Sequence, residues 1–461
     1  MSLEFNKELF NEIVDHFNQG EHQQGLETLE LLHPADAAEV ITQLGSDDLP
    51  VVFDALNDEF CAEILTELED DLRVGLLVNL NPAQIYQKFL RFMDSDDAAD
   101  LVNDLPTEQR IALTEYLRSS IKSDAVDIIS LIKYEEDTAG SLMATELVRV
   151  NINWTVSQCI EEIRREADEV DTVYAVYVVD DDNHLKGLVP LSQLIISRSS
   201  AVISEFYDPK VVSVSDMSPA AEVAEIMNKY DLVSLPVLNY LDRLVGRITI
   251  DDVVDYIKEE AEEDYQLASG LSENVEYSDT VWVLSRARLP WLFLGLLGGI
   301  ASSKVIGLYE DDIQVYPQMA LFIPLIAAMG GNAGVQSSAI VVQSLASKVI
   351  LTTGLWAKLS KEFLVSLING VLCAGALLLY GLIDQHALPL SITISTALLI
   401  VIVLAAVLGA FIPMALNALK IDPALATGPF ITTTNDLLGL GIYFFIGRIM
   451  YDIFQAYPVS G

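Results

Sequence analysis

The sequence predicts a multidomain protein that changes fold class twice along its length: an all-α superhelical N-terminal domain, a duplicated α/β segment, and an all-α transmembrane domain of five helices. Three observations predict this. Of 67 Asp and Glu and 26 Lys and Arg residues, eight of each lie from Val281 onward, so the whole net charge of −41 belongs to residues 1–280. Five apolar segments follow that boundary, each long enough to cross a hydrocarbon core of about 30 Å as a helix. Between the acidic start and the apolar end, one order of strands and helices occurs twice.

Residues 1–135 alternate helical apolar periodicity with punctuation at HPAD (His33 to Asp36), DLP (Asp48 to Pro50), NP (Asn81, Pro82) and DLP (Asp104 to Pro106). PADAAEVITQL (Pro34 to Leu44) and SDDAADLVNDL (Ser95 to Leu105) read as one unit used twice. Short helical hairpins stacked into a curved array would bury such faces. Asp94, Asp96, Asp97 and Asp100 crowd the start of the second copy. Asp favours the first turn of any helix, but the local excess of negative charge makes Asp96 and Asp97 candidate cation ligands. Charge this negative repels nucleic acid and anionic lipid, so the expected small partner is a cation and no nucleic acid is expected.

Two modules, residues 138–200 and 201–258, follow. VYAVYVVDDDNHLKGLVPLSQL (Val173 to Leu194) and LVSLPVLNYLDRLVGRITIDDVV (Leu232 to Val254) each read apolar strand, polar turn, Gly-containing strand, then helix. Amphipathic helices precede both, TVSQCIEEIRREA (Thr155 to Ala167) and SPAAEVAEIMNKY (Ser218 to Tyr230). This order resembles a tandem pair of CBS (cystathionine-β-synthase-type) domains. In that family a Gly-h-h-Thr-x-x-Asp run can hold the ribose of an adenine nucleotide such as ATP. The resemblance places that role on Gly246, Thr249 and Asp252; the first copy has Pro190 and Gln193 at the corresponding places.

The run DDVVDYIKEEAEEDYQ (Asp251 to Gln266) predicts a helix leaving the second module, and residues 259–284 are expected to connect it to the membrane. Its carboxylates include Asp252, Asp255, Glu259, Glu262 and Glu263. Asp252, Asp255, Glu259 and Glu263 fall along one helical stripe, where like charges repel by a few tenths of a kcal/mol per pair. Such a stripe wants a counter-charge, and a divalent cation there would tie the connecting helix to its neighbours.

The transmembrane domain, 285–461, has apolar segments near 289–309, 316–345, 361–383, 389–419 and 425–453. Arg286, Arg288, Lys348, Lys358, Lys361 and Lys420 mark the loops expected inside, which puts the acidic half in the cytoplasm and the C terminus outside. The second segment is expected to be interrupted by Pro324 and by GGNAGVQSS (Gly330 to Ser338), with Asn332 and Gln336 facing a water-filled path. Gly330 and Gly334 could equally be a helix-packing pair. The last segment carries one carboxylate, Asp436, near its middle. An ionised group there costs at least a few kcal/mol, so it marks an ion or proton route more often than packing. Thr432, Asp436, Gly439 and Tyr443 share one face of that helix. A single carboxylate beside hydroxyl and carbonyl oxygens suits a hydrated hard cation such as Mg2+.

These membrane motifs, IPLIAAMGGNAGVQSS and DPALATGPFITTTNDLLGLGIYF, together with the order of domains, resemble the MgtE-type magnesium channels over nearly the whole chain. Val335 stands where that family commonly has a second asparagine. The resemblance implies a homodimer embedded in membrane lipid, with Asp436 as the pore carboxylate and Thr432, Gly439 and Asn332 beside it. It implies Mg2+ as both cargo and regulator, a multi-pass bacterial inner (plasma) membrane location, and gating through Asp96, Asp97, Asp252, Asp255, Glu259, Glu262 and Glu263.

Other classes have less support. Cys61, Cys159 and Cys373 form no CxxC pair, no two histidines lie close together, and HExxH and Gly-x-Ser-x-Gly are missing, so no enzyme is expected. A secondary carrier exchanging Mg2+ or Co2+ against Na+ or H+ would use the same residues as a channel. A membrane sensor without transport would leave Asp436 unexplained. The start, MSLEFNKELFNEIVDHF, lacks an apolar h-region, so no cleaved signal peptide is expected.

Overall fold

The computed structural model describes residues 7–44, 49–120, 122–166, 173–272, 275, 280–315, 317–346, 355–426 and 428–456. Asp48, Ala167 and Lys348, used in the sequence reading, lie outside them, as do 273, 274 and 276–279 of the connecting segment. The chain divides into two compact units, Met1–Ile257 and Lys258–Gly461.

In the first unit, short helices succeed one another from Lys7–Asn18 to Ser123–Leu131. The punctuation residues cap them. His33 accepts from the Ala35 N–H ahead of Pro34–Thr42, Asn57 caps Asp58–Thr66, and Asn81 and Gln84 form a reciprocal capping box around Pro82. Each such cap contributes about 1 kcal/mol. Helices this short are marginal alone and depend on packing. Ile13, Ile41, Ile64, Leu65, Phe89, Leu113 and Leu117 share one core. The helix Ser95–Asp104 sends Leu101 and Val102 into that core and Ala99 into another, with Met143 and with Val223, Leu235, Ile248 and Val253 of the second α/β module. Burial on two sides holds Asp96 and Asp97 in a fixed place.

The two modules repeat one topology. β1 (Val148–Asn151), β2 (Val176–Val179) and β3 (Leu185–Val189) form one sheet; β4 (Val214–Ser215), β5 (Ser234–Leu238) and β6 (Leu244–Thr249) form the other. In each, the first strand pairs parallel to the second and the second antiparallel to the third. Both hairpins turn through a left-handed residue, Asn183 (φ 66°) and Asp242 (φ 56°), residue types that tolerate that region. The copies join at these hairpins: the Asn183 side chain donates to the Leu244 carbonyl at 2.8 Å, and the Leu244 N–H donates to the Asn183 carbonyl.

In the second unit, five helices are long and apolar enough to cross a membrane. The first span is Val281–Leu308, the second Ile323–Ala346 led by a 3-10 turn at Pro317–Phe322, the third Leu355–Ile383, the fourth Leu388–Ala418 and the fifth Gly428–Ala456. The fourth is the hub, its Ile394, Leu398, Val401 and Ile402 packing with Ile326 of the second and Tyr443 and Phe444 of the fifth. The first span leaves every described residue but Ala287 at least partly exposed.

Two expectations change here. The Gly330 to Ser338 run does not interrupt the second span, which stays α-helical from Ile323 to Ala346. Its glycines serve close packing: a β-carbon at Gly334 would lie 1.8 Å from Asn435 Nδ2, and one at Gly409 would lie 2.3 Å from the Gly334 carbonyl oxygen. The fifth span begins at Gly428 rather than Leu425, because Pro423–Ala426 form a 3-10 turn.

The connecting helix runs Ile250–Ser269. Its end meets the start of the fifth span. Gly270 (φ 84°) and Gly428 (φ 51°) both hold left-handed backbone, and a β-carbon at Gly428 would lie 2.4 Å from the Ala268 carbonyl oxygen. Only glycine fits that crossing.

Candidate functional site

A cavity of about 840 Å3 opens between the first and fifth spans, lined among others by Arg288, Ser302, Ala327, Thr432, Thr433 and Asp436. Helical spacing brings Thr432, Asp436 and Leu440 to its wall. Asp436 is half-buried, and the bare backbone of Gly331 in the second span lies beside its carboxylate. Thr432 donates its hydroxyl to the Gly428 carbonyl at 3.0 Å, which leaves the oxygen lone pairs free to accept from water.

The other predicted members of that face lie elsewhere. Gly439 is buried against Val401 of the fourth span, 3.2 Å from where its β-carbon would stand. Tyr443, fully buried, donates to the Met319 carbonyl at 2.8 Å and so pins the fifth span to the turn before the second. Asn332 is exposed on the second span and is not part of the cavity wall. Among the described residues, no three His, Cys, Asp or Glu side chains gather as direct metal ligands. A lone carboxylate in a wide cavity fits a cation that keeps its waters better than one stripped of them.

In the first unit a second acidic region forms around Asp96 and Asp97. Asp96 is 8 % exposed, and burial raises its carboxyl well above the usual range, with Asp97, Asp252, Asp94 and Glu146 adding repulsion. Asp97 is pushed up to about 6 by desolvation and by Asp252, with Asp251 and Asp255 adding and Arg73 opposing. The Asp97 residue is nonetheless exposed, so solvent screens the repulsion on it. Burial also raises Asp252, against hydrogen bonds from the Thr249 N–H (2.9 Å) and hydroxyl (2.5 Å). The buried Arg247 gives partial compensation, donating through Nε to the Glu146 carbonyl at 2.6 Å and standing 3.9 Å from Asp94. Asp96, Asp97, Asp252 and Asp255 are therefore electrostatic neighbours. Glu259, Glu262 and Glu263 lie further along the connecting helix, exposed.

The Gly246, Thr249 and Asp252 motif has local work to do. Thr249 precedes the connecting helix, and Asp252, three residues on, accepts from its N–H, one half of a capping box. A β-carbon at Gly246 would meet Met143 Sδ at 2.7 Å and the Ala144 carbonyl at 2.8 Å.

Two pairs and one buried amide add to what the sequence singled out. Asp264 of the connecting helix is raised by burial and by Asp422, in the turn before the fifth span. Ser337 of the second span donates to Glu362 of the third at 2.5 Å. Asn435, beside Asp436, is 3 % exposed with its Nδ2 unpaired. The first two pairs join residues far apart in sequence and left no local signal, whereas an amide inside an apolar span was visible.

Comparison with known proteins covers the whole order of parts. A family model described as a divalent cation transporter (MgtE) matches residues 323–446, the MgtE intracellular N domain matches 32–137, and the CBS domain matches 139–199 and 203–259. A magnesium transporter MgtE of Enterococcus faecalis is 36% identical over 331 residues, covering 72% of this chain and 73% of its own. A magnesium transporter MgtE of Thermus thermophilus is 30% identical over 441 residues, covering 94% and 96%. A crystal structure of the soluble part of a magnesium transporter superposes with a TM-score of 0.50 at 30% identity, covering 55% of this chain and 99% of that one.

Proposed function

The chain belongs to the MgtE family of divalent cation transporters, and from that premise we propose that it passes Mg2+ across a membrane through a pore whose carboxylate is Asp436. The observation that carries this reading is the Asp436 carboxylate, inside an apolar span, on the wall of a large cavity beside Thr432 and the bare backbone of Gly331. Mg2+ sheds water reluctantly, so the ion passes hydrated, its waters donating to Asp436 and to the Thr432 oxygen. A homodimer with Asp436 near its two-fold axis would set two carboxylates facing one another, where a divalent ion relieves their repulsion. Arg286, Arg288, Lys358, Lys361 and Lys420 orient the acidic unit to the cytoplasm.

Gating follows from the second acidic region. Asp96, Asp97 and Asp252 carry carboxyls raised by burial, and Asp252 adds repulsion on the other two, so a divalent cation bound among them stabilises that arrangement. Asp255, Glu259 and Glu263 continue the negative stripe, with Glu262 beside it, along the connecting helix, whose end at Ala268 abuts Gly428 at the start of the pore span. Abundant cytoplasmic Mg2+ holds the closed state, and its loss shifts the population to open. Nucleotide binding at Gly246, Thr249 and Asp252 has weaker support, because Asp252 already caps its own helix and Gly246 backs Met143.

The test is growth of a magnesium-uptake-deficient host at low Mg2+. This chain should restore growth and its Asp436→Ala variant, expressed to the same level in the membrane, should not. Equal rescue by the two would remove Asp436 from the pore.

A further inference from the structure

We propose that Asn435 is the positioning residue that aims Asp436 into the cavity, by seating its carboxamide in a notch that Gly334 opens in the second span. The inference deepens the transport reading and rests on it for the role of Asp436. Asn435 is 3 % exposed. A β-carbon at Gly334 would stand 1.8 Å from Asn435 Nδ2 and 2.9 Å from Ile431 Cγ2, so no side chain but hydrogen fits there. Behind the notch, Gly409 of the fourth span touches the Gly334 backbone, its would-be β-carbon 2.3 Å from the Gly334 carbonyl oxygen. Three helices thus meet with the Asn435 amide wedged at their crossing.

Rotation of the fifth span is what this wedge fixes. Neighbouring residues on an α-helix point about 100° apart, so seating Asn435 at Gly334 sets the direction of Asp436. One turn earlier on the second span, Gly331 receives Thr432 and Asp436. The paired glycines accept paired residues, in one register only.

Packing alone does not call for an amide at this position. Asn435 Nδ2 has no hydrogen-bond partner, so the buried N–H carries the cost of lost hydration that an apolar residue of the same shape would avoid. A polar group can be tolerated in one seat and disfavour every other. If the fifth span turned, the amide would move toward lipid or toward the apolar Val401 side, where it is dearer still. Single buried amides select register in helical assemblies in the same way.

The experiment uses the full-length chain in liposomes with Cys373→Ala, since the two remaining native thiols, Cys61 and Cys159, are buried. Asp436→Cys is labelled with a charged, water-soluble thiol reagent, which reads the direction of position 436 without needing ion flux. Gly334→Ala and Asn435→Ala should each slow labelling several-fold, the first by closing the notch and the second by emptying it, and the two together should recover it, because the new methyl refills from the second span the space that the shortened side chain leaves. With Asp436 restored, the single variants should lower, and the double variant recover, the ratio of Mg2+ to Ca2+ flux. A role in stability alone would change the thermal transition without this reciprocal rescue. Unchanged labelling in Gly334→Ala or in Asn435→Ala, or a double variant no better than the singles, overturns the proposal. If Gly334→Ala does not assemble, assembly and normal labelling of the double variant support it, and failure of both overturns it. Mg2+ flux through the unmutated chain, and its loss in Asp436→Ala, judges the transport reading separately.

Discussion

Gly331 stands directly against Asp436: a β-carbon added at Gly331 would lie 3.7 Å from Asp436 Oδ1 and 3.3 Å from Thr432 Cγ2. The first distance is ordinary contact and the second is tight, so the cost of a methyl there falls on the two side chains assigned to the ion. Gly331→Ala should therefore lower Mg2+ flux several-fold while shifting the thermal midpoint little. Radioisotope or fluorescent-indicator uptake in liposomes checks it, and wild-type flux in a folded variant would place the ion path elsewhere.

The acidic region should give Mg2+-dependent stability with a definite pH sense. Carboxyls of Asp96, Asp97 and Asp252 are raised, Asp97 to about 6, so the folded chain binds these protons more tightly than the unfolded one. Stability from this source is then lost as pH rises from roughly 4 through each raised value. Mg2+ substitutes for the missing protons. Added Mg2+ should raise the melting temperature of the purified chain strongly near neutral pH and weakly near pH 5, as differential scanning fluorimetry would read. An effect of Mg2+ independent of pH would contradict this account.

Neutralising Asp252 and Asp255 together, as Asp252→Asn and Asp255→Asn, should leave transport intact and blunt its inhibition by cytoplasmic Mg2+. Asn keeps a side-chain oxygen for the Thr249 N–H, so the helix start survives. Patch recordings with graded Mg2+ on the cytoplasmic face measure the shift, and an unchanged inhibition curve would detach these acids from gating.

Gly428→Ala should be costly for two reasons that add. It forces a β-carbon onto left-handed backbone and sets it 2.4 Å from the Ala268 carbonyl oxygen. The first alone costs about 1 kcal/mol or more. Either the fifth span or the end of the connecting helix must move, so the variant should lose thermal stability and weaken the response to cytoplasmic Mg2+. A neutral midpoint with normal inhibition would show that this crossing transmits nothing.

Ser337→Ala removes the donor to Glu362 between the second and third spans. Leaving a carboxylate short of one partner should cost about 1–3 kcal/mol and lower the thermal midpoint. Because Ser337 is outside the cavity wall, the ratio of Mg2+ to Co2+ flux should not change.

Much of this protein was open to reading along the chain. Five spans follow from apolar length and the duplicated sheets from two matching strand–turn–strand runs, and Asp436, singled out by the cost of a carboxylate in an apolar span, lines the cavity. The N-terminal caps at His33 and Asn81 were marked by the same residues that punctuate the sequence, whereas the cap at Asn57 carried no such mark. Less legible was the run from Gly330 to Ser338, where glycines suggest a broken helix until the neighbours that fill their notches are known. Gly439 and Tyr443 share the helical spacing of Asp436 but turn to the fourth span and to Met319, since the width of the cavity, rather than periodicity, decides how much of a face is wet.

Alone, the sequence determined which segments are apolar, which repeat, and where charge accumulates, because those properties belong to residues and to their near neighbours along the chain. Tertiary structure alone decided that Asp97 lies within electrostatic reach of Asp252, that Asn435 fills the space Gly334 leaves, and that Asp264 lies within reach of Asp422. Each of these joins positions far apart in sequence, and the energies involved, repulsion between charges and steric exclusion, depend on separations in space that no local pattern encodes.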